Sequence, residues 1–194
     1  MSLVTKANTA KGAAAFAHRY LRKTMDVLES IDGDEVRVLI QMLDDCRSRR
    51  AMIYFIGNGG KAALSAEWAN DLTVALPPRI TPFRAASLVD NAAMLTAAAN
   101  DYSYDDALAH IIARVAWRDD MLVALSGSGN SVNIIQAVNE ARGQGMFTVG
   151  IGRGGKLRTC VDHFVTIPAE DDGPTEDAMM AVLHITHAWF LNCG

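Results

Sequence analysis

Three short apolar runs, AMIYFIG (51–57), MLVALSG (121–127) and MFTVGIG (146–152), each carry the chain straight into glycine. Runs of this length, apolar without alternation and bounded by turn residues, suit strands buried on both faces. HFVTIP (163–168) has the same character, and a further strand is expected near 82–88. Helical composition fills the gaps at 61–76, 90–99, 104–116 and 131–143, and a last helix at 175–192 carries apolar Met179, Val182, Leu183 and Trp189. The first of these helices stops before Pro77-Pro78, which cannot continue it. Strands alternating with helices at this spacing imply an α/β fold whose parallel sheet is wrapped on both faces. Ligands in such folds sit beyond the carboxyl ends of the strands, where the glycine-bearing loops lie.

Ahead of the first strand, residues 10–31 and 34–49 form two amphipathic helices; in the second, Val36, Leu39, Ile40 and Leu43 recur at helical spacing. With 194 residues and no linker or repeat, the chain is expected to be one domain, a helical pair (10–50) followed by the sheet unit (51–194). Half the residues are hydrophobic and only 21% are charged, which argues against disorder. A net charge of −4 gives no general basic face for nucleic acid. Cys46, Cys160 and Cys193 match no metal spacing, and the start MSLVTKANTAKG has no apolar leader core. No apolar stretch reaches the ~18 residues that cross a membrane. Reduced thiols in a cytoplasmic protein are the resulting expectation.

Two loops carry the chemistry. Gly57-Asn58-Gly59-Gly60 ends the first strand and opens a helix, so bare backbone N–H groups face outward at a positive helix end. That suits a phosphate, although glycine turns often only turn the chain. It is neither a P-loop nor a dinucleotide fingerprint, and no nucleotide cofactor is expected. The second loop, SGSGNS (126–131), adds three hydroxyls to its amides. Ser131 alone reads as a helix cap; three serines around two glycines exceed what capping needs. Behind the first loop, Glu67 and Asp71 are four apart on one helix and share a face. Two carboxylates held together have unequal proton affinities, which suits acid–base work; a solvated acidic face is the plain alternative.

GNGG, ANDYSY, ALSGSGNS and GRGGKL together resemble the sugar isomerase (SIS) domain, and within it the phosphoheptose isomerase branch. The likeness runs from about residue 10 to the C-terminus. It implies a three-layer, flavodoxin-like αβα sandwich with a central parallel sheet, and a homotetramer with active sites built between subunits. It also implies interconversion of sedoheptulose 7-phosphate and an aldoheptose phosphate (glycero-manno-heptose 7-phosphate) through an enediol(ate). Such a reaction needs a base at the substrate, a proton donor and stabilised negative charge.

Carried over by that resemblance, Ser126, Ser128 and Ser131 cradle the phosphate with the amides around Gly127 and Asn130. Asn58, Gly59 and Gly60 form the first-loop wall. Gly127 stands where threonine is usual, and Lys61 where serine is usual. Lys61 either adds direct charge to the phosphate or points outward as a helix-start lysine. Glu176 and Asp101 match acidic sugar-contacting positions, with Thr175 ahead of Glu176 at a helix-capping position. Asp71 and His187 match proposed acid–base groups, with Glu67 beside them and His184 as packing or second shell. Glu67, Asp71 and His187 also fall at positions of a zinc site, whose fourth position is Met179, a poor ligand for a hard cation. Zinc or another divalent ion on the three remaining groups is thus an open expectation. An arginine of the family is replaced by Ala75, which, with the Lys61 gain, suggests a rearranged polar pocket. The partners implied are a phosphorylated sugar and further copies of the chain, with no membrane or nucleic acid. The competing reading is a non-catalytic SIS protein that binds sugar phosphate and acts through interaction, as does a branch associating with the bacterial replication initiator.

Overall fold

The computed structural model describes residues 10–193, so the leader-free start expected for the first residues lies outside it. Two helices lead, α1 (Ala10–Glu29) and α2 (Gly33–Arg49). Asp32 caps α2 by accepting the Asp34 N–H at 2.8 Å, which satisfies an amide without an intrahelical partner. Then follow β1 (Met52–Gly57), α3 (Gly60–Thr73), β2 (Arg84–Ser87), α4 (Ala92–Asp101), α5 (Tyr104–Val115), β3 (Met121–Ser126), α6 (Val132–Gly143), β4 (Phe147–Gly152), α7 (Leu157–Cys160), β5 (His163–Thr166) and α8 (Asp172–Cys193).

All neighbouring strands pair in parallel, in the order β2-β1-β3-β4-β5. Strand pleating explains why one apolar run serves two cores. On β1, Ile53 and Phe55 join the core beneath α1, α2, α3 and α8, while Tyr54 and Ile56 join the core beneath α5 and α6. On β3, Val123 and Leu125 face the first core and Leu122 and Ala124 the second. The result is the expected three-layer sandwich with two helices ahead of β1.

Trp68 of α3 ties the first layer together. Its ring stacks on Phe55 with centroids 5.2 Å apart, and its indole N–H donates to Thr186 Oγ1 of α8 at 3.1 Å. A buried indole needs such a partner for its donor. Cys46 lies fully inside this core, and burial pushes its thiol up to about 11. No described helix is long and apolar enough to cross a membrane.

Two local expectations need correction. α8 begins at Asp172, and Pro174 lies in its first turn, where the missing N–H costs nothing. Thr175 is therefore inside the helix and no cap; its hydroxyl donates to the Asp171 carbonyl at 2.6 Å. The one-turn α7 was not anticipated.

Candidate functional site

In a sheet ordered 2-1-3-4-5 the connections leave β1 and β3 in opposite directions, which opens a crevice past their carboxyl ends. Both glycine loops emerge there. Asn58, Lys61, Ser126, Gly127, Ser128 and Ser131 line a cleft of about 210 Å³, together with Arg153 and Asp172.

The serine loop is pinned to itself. Ser126 Oγ accepts the Gly129 N–H at 3.1 Å, and Ser128 Oγ accepts the Asn130 N–H at 3.2 Å. Ser131 precedes α6 in the N-cap position, yet its hydroxyl makes no capping bond and lies 3.5 Å from Ser126 Oγ. It remains available to the cleft. Asn130 braces rather than lines: its amide donates to the Ser128 carbonyl, and its oxygen accepts the Lys156 N–H.

GRGGKL (152–157) explains itself here as a second loop nested against the first. A Cβ on Gly129 would overlap the Gly154 carbonyl oxygen, and one on Gly155 would overlap the Ser128 carbonyl. Both glycines also have φ of +66°, which disfavours any side chain. Arg153 closes the join by donating from Nε to the Gly127 carbonyl at 2.9 Å and from Nη1 to the Glu170 carbonyl at 2.8 Å. Its Nη2 lies 3.1 Å from Asp172.

On the other wall, Gly59 precedes α3 with φ 59° and no side-chain cap, so the helix start stays open. Lys61 points inward: its side chain is 13% exposed and its ammonium lies 2.6 Å from Glu176 Oε1. Gly60 leaves room for that contact, since a Cβ there would make the Glu176 carboxylate shift. Asn58 and Asn133 exchange amide hydrogen bonds at 2.9 and 2.8 Å, and Tyr104 donates its hydroxyl to Asn58 at 2.9 Å.

Asp71 and His187 form a separate pair, with Oδ2 and Nδ1 3.4 Å apart and both side chains largely buried. His187 Nε2 is buried with no hydrogen-bond partner. Lys61–Glu176 and Asp71–His187 mark the two ends of the α3–α8 contact, so the helices run side by side in the same direction. Ten residues of helix separate Lys61 from Asp71, about 15 Å of rise.

Other expected residues do not join. Glu67 is exposed and makes no polar contact among the described residues. Met179 is 1% exposed within the apolar core, and His184 is exposed rather than packed. Among the described residues of one copy no three His, Cys, Asp or Glu side chains gather as a metal ion would need, so Glu67 does not join Asp71 and His187 there. Asp101, at the end of α4, lines a different hollow of about 240 Å³ beside His110, whose ring stacks on Tyr102. Arg153, Tyr104 and Asn133 had escaped notice as site residues, although the first two lie inside quoted motifs.

Comparison with known proteins bears on the family and the fold. The SIS domain family model matches residues 18–152. A phosphoheptose isomerase of Maridesulfovibrio salexigens is 32% identical over 176 residues, covering 86% of this chain and 83% of that protein. One from Helicobacter pylori is 30% identical over 167 residues and 85% of each chain. The solved phosphoheptose isomerase of Neisseria gonorrhoeae superposes with a TM-score of 0.84 at 23% identity, covering 94% of this chain and 98% of that one.

Proposed function

The chain belongs to the SIS domain family, in its phosphoheptose isomerase branch, and from that premise we propose that it is an aldose–ketose isomerase of phosphosugars. The substrate is sedoheptulose 7-phosphate and the product glycero-manno-heptose 7-phosphate. The observation that carries an enzyme, as against a binding protein, is the Asp71–His187 pair with its unpartnered Nε2.

The phosphate enters the cleft between the two loops. Ser128 and Ser131 hydroxyls and the loop amides donate to it, and Lys61 adds a charge in a water-poor site. Lys61 exchanges Glu176 for the phosphate, which frees Glu176 to accept a sugar hydroxyl. At the reacting end one group of the pair removes the proton from the carbon next to the carbonyl while the other gives a proton to the carbonyl oxygen. The first then delivers its proton to the former carbonyl carbon as the second takes one from the neighbouring hydroxyl, so both groups end as they began. The carboxylate orients the imidazole and offsets charge on it as the enediol(ate) forms. Within one copy the three groups do not gather around a zinc ion, so no step is assigned to one.

Asp71 lies about 15 Å along α3 from Lys61, which borders the cradle. We therefore read the chain as a homo-oligomer, a tetramer in this branch, whose sites combine a cradle from one copy with a pair from another. Phe16, Leu21 and Met25 of α1 and Ile185 and Trp189 of α8 are exposed apolar side chains suited to such contacts.

Solvent deuterium incorporation into sedoheptulose 7-phosphate, followed by NMR, tests the chemistry. Exchange next to the carbonyl with a growing aldose signal is expected. Asp71→Asn and His187→Ala should each lower turnover by at least ~100-fold, the size of a general acid–base contribution. Phosphosugar binding should change little. Wild-type turnover in both variants would refute the pair.

A further inference from the structure

A second cleft, of about 410 Å³, lies at the opposite edge of the sheet, before the amino ends of β1, β2 and β3. Its volume is in the range of small-ligand sites, ~300–1,000 Å³. The strands of some six residues put it roughly 20 Å from the serine loop. Four arginines line it, Arg49, Arg50, Arg84 and Arg118, against two aspartates, in a chain whose net charge is −4.

These arginines differ in what they have left to give. Arg49 is spent: it donates to the Asp45 and Asp119 carbonyls and its guanidinium lies over Phe147. Arg84 uses one donor on the Arg50 carbonyl at 2.8 Å. Arg50 and Arg118 make no side-chain hydrogen bond or ion pair among the described residues. Asp120 is occupied, with its two oxygens accepting the Met52 and Trp117 N–H groups at 2.8 and 2.9 Å. Three of the arginines that line the cleft therefore keep open donors.

Two further features coincide there. Arg50 (φ 59°) and Asp119 (φ 70°) are the two non-glycine residues with positive φ among those described, and both line this cleft. Arg50 ends α2 in the left-handed cap position that glycine usually takes. A side chain kept there against its conformational preference suggests use. Trp117, at the rim, is 78% exposed, the most exposed large apolar side chain described. Its flat face is open to a planar ring, and arginine forks match phosphate oxygens.

We propose that this cleft binds a nucleoside diphosphate, with the base on Trp117 and the phosphates on Arg50, Arg84 and Arg118, as a ligand site distinct from the phosphosugar cleft. An acidic chain with one compact basic hollow suits a mononucleotide better than an extended nucleic acid strand.

The test uses the full chain, ADP as the probe, and calorimetry alongside tryptophan fluorescence. ADP should quench fluorescence with saturation, and Trp117→Phe should remove most of the change. Arg118→Ala and Arg50→Gly should each weaken binding by about tenfold or more, the scale of a charge-assisted contact. Arg50→Gly suits the local φ and keeps the fold. Pyrophosphate, lacking a base, should bind roughly tenfold more weakly than ADP. Four results would overturn the proposal: no ADP binding at millimolar concentration, undiminished binding in the double arginine variant, displacement of ADP by sedoheptulose 7-phosphate, or pyrophosphate bound as tightly as ADP. A single-stranded RNA oligomer bound more tightly than ADP would likewise replace the mononucleotide with a different partner.

Discussion

Lys61 and Gly127 compete for one volume. A Cβ on residue 127 would stand 2.9 Å from Lys61 Cε, so a side chain there requires the lysine to move. The chain's two departures from the serine and threonine expected by resemblance thus meet in one space, which glycine leaves open and lysine occupies. Lys61 in turn holds Glu176, whose side chain is 37% exposed. Losing the lysine leaves a carboxylate that water can still solvate, so stability should fall by less than ~1 kcal/mol. Function should respond more. Lys61→Ser and Gly127→Thr should each raise the Kd for the sugar phosphate by about tenfold, since each removes or displaces one charge-assisted contact. The double variant should lose far less than the sum, with a coupling of order 1 kcal/mol in a double-mutant cycle read by calorimetry. Strict additivity would show that the two positions are independent.

At the level of elements, the phosphate cleft depends on two loops whose backbones touch. Gly129→Ala would place a methyl on the Gly154 carbonyl at a positive φ, so the β3–α6 and β4–α7 loops would part. That should cost ~3 kcal/mol or more and abolish phosphosugar binding. Gly143→Ala is the contrast, since nothing stands within 4 Å of its added methyl. It should leave stability unchanged or raise it by up to ~1 kcal/mol. Thermal unfolding of both variants checks the pair. The same distinction separates what could be seen in the sequence from what could not. β1, β3 and β4 were visible because doubly buried strands are continuously apolar, and Ser126–Ser131 stood out by composition. α7 could not be anticipated: four residues carry no period, and its start is set by Leu157 donating to the Gly129 carbonyl of a distant loop. Asn133 and Arg153 were hidden for the same reason, because their roles come from partners 75 and 26 residues away. Glu67 shares the spacing of Asp71 but is exposed in one copy, because helical spacing gives a shared face without saying how far round it is buried.

For the whole molecule, α3 and α8 set the distances that matter. They start together at Lys61–Glu176, are pinned midway by Trp68–Thr186, and end together at Asp71–His187. Lys61, at the cradle, and the Asp71–His187 pair thus lie at opposite ends of this helix pair, with about 15 Å of helical rise between Lys61 and Asp71. On the proposed reading, a complete site joins this copy's cradle to the pair of a second copy. The expected consequence is complementation. A cradle variant, Ser128→Ala with Ser131→Ala, and a pair variant, His187→Ala, should each be nearly inactive alone. Co-expressed or mixed after reversible dissociation, they should regain a substantial fraction of wild-type turnover, because mixed oligomers contain sites with an intact cradle facing an intact pair. Sites built within one copy would gain nothing from mixing, since every copy would keep one defect. Hetero-oligomers separated by charge-tagged chromatography and assayed by deuterium exchange would distinguish the two. Activity confined to the mixed species would establish that this chain works across a subunit boundary.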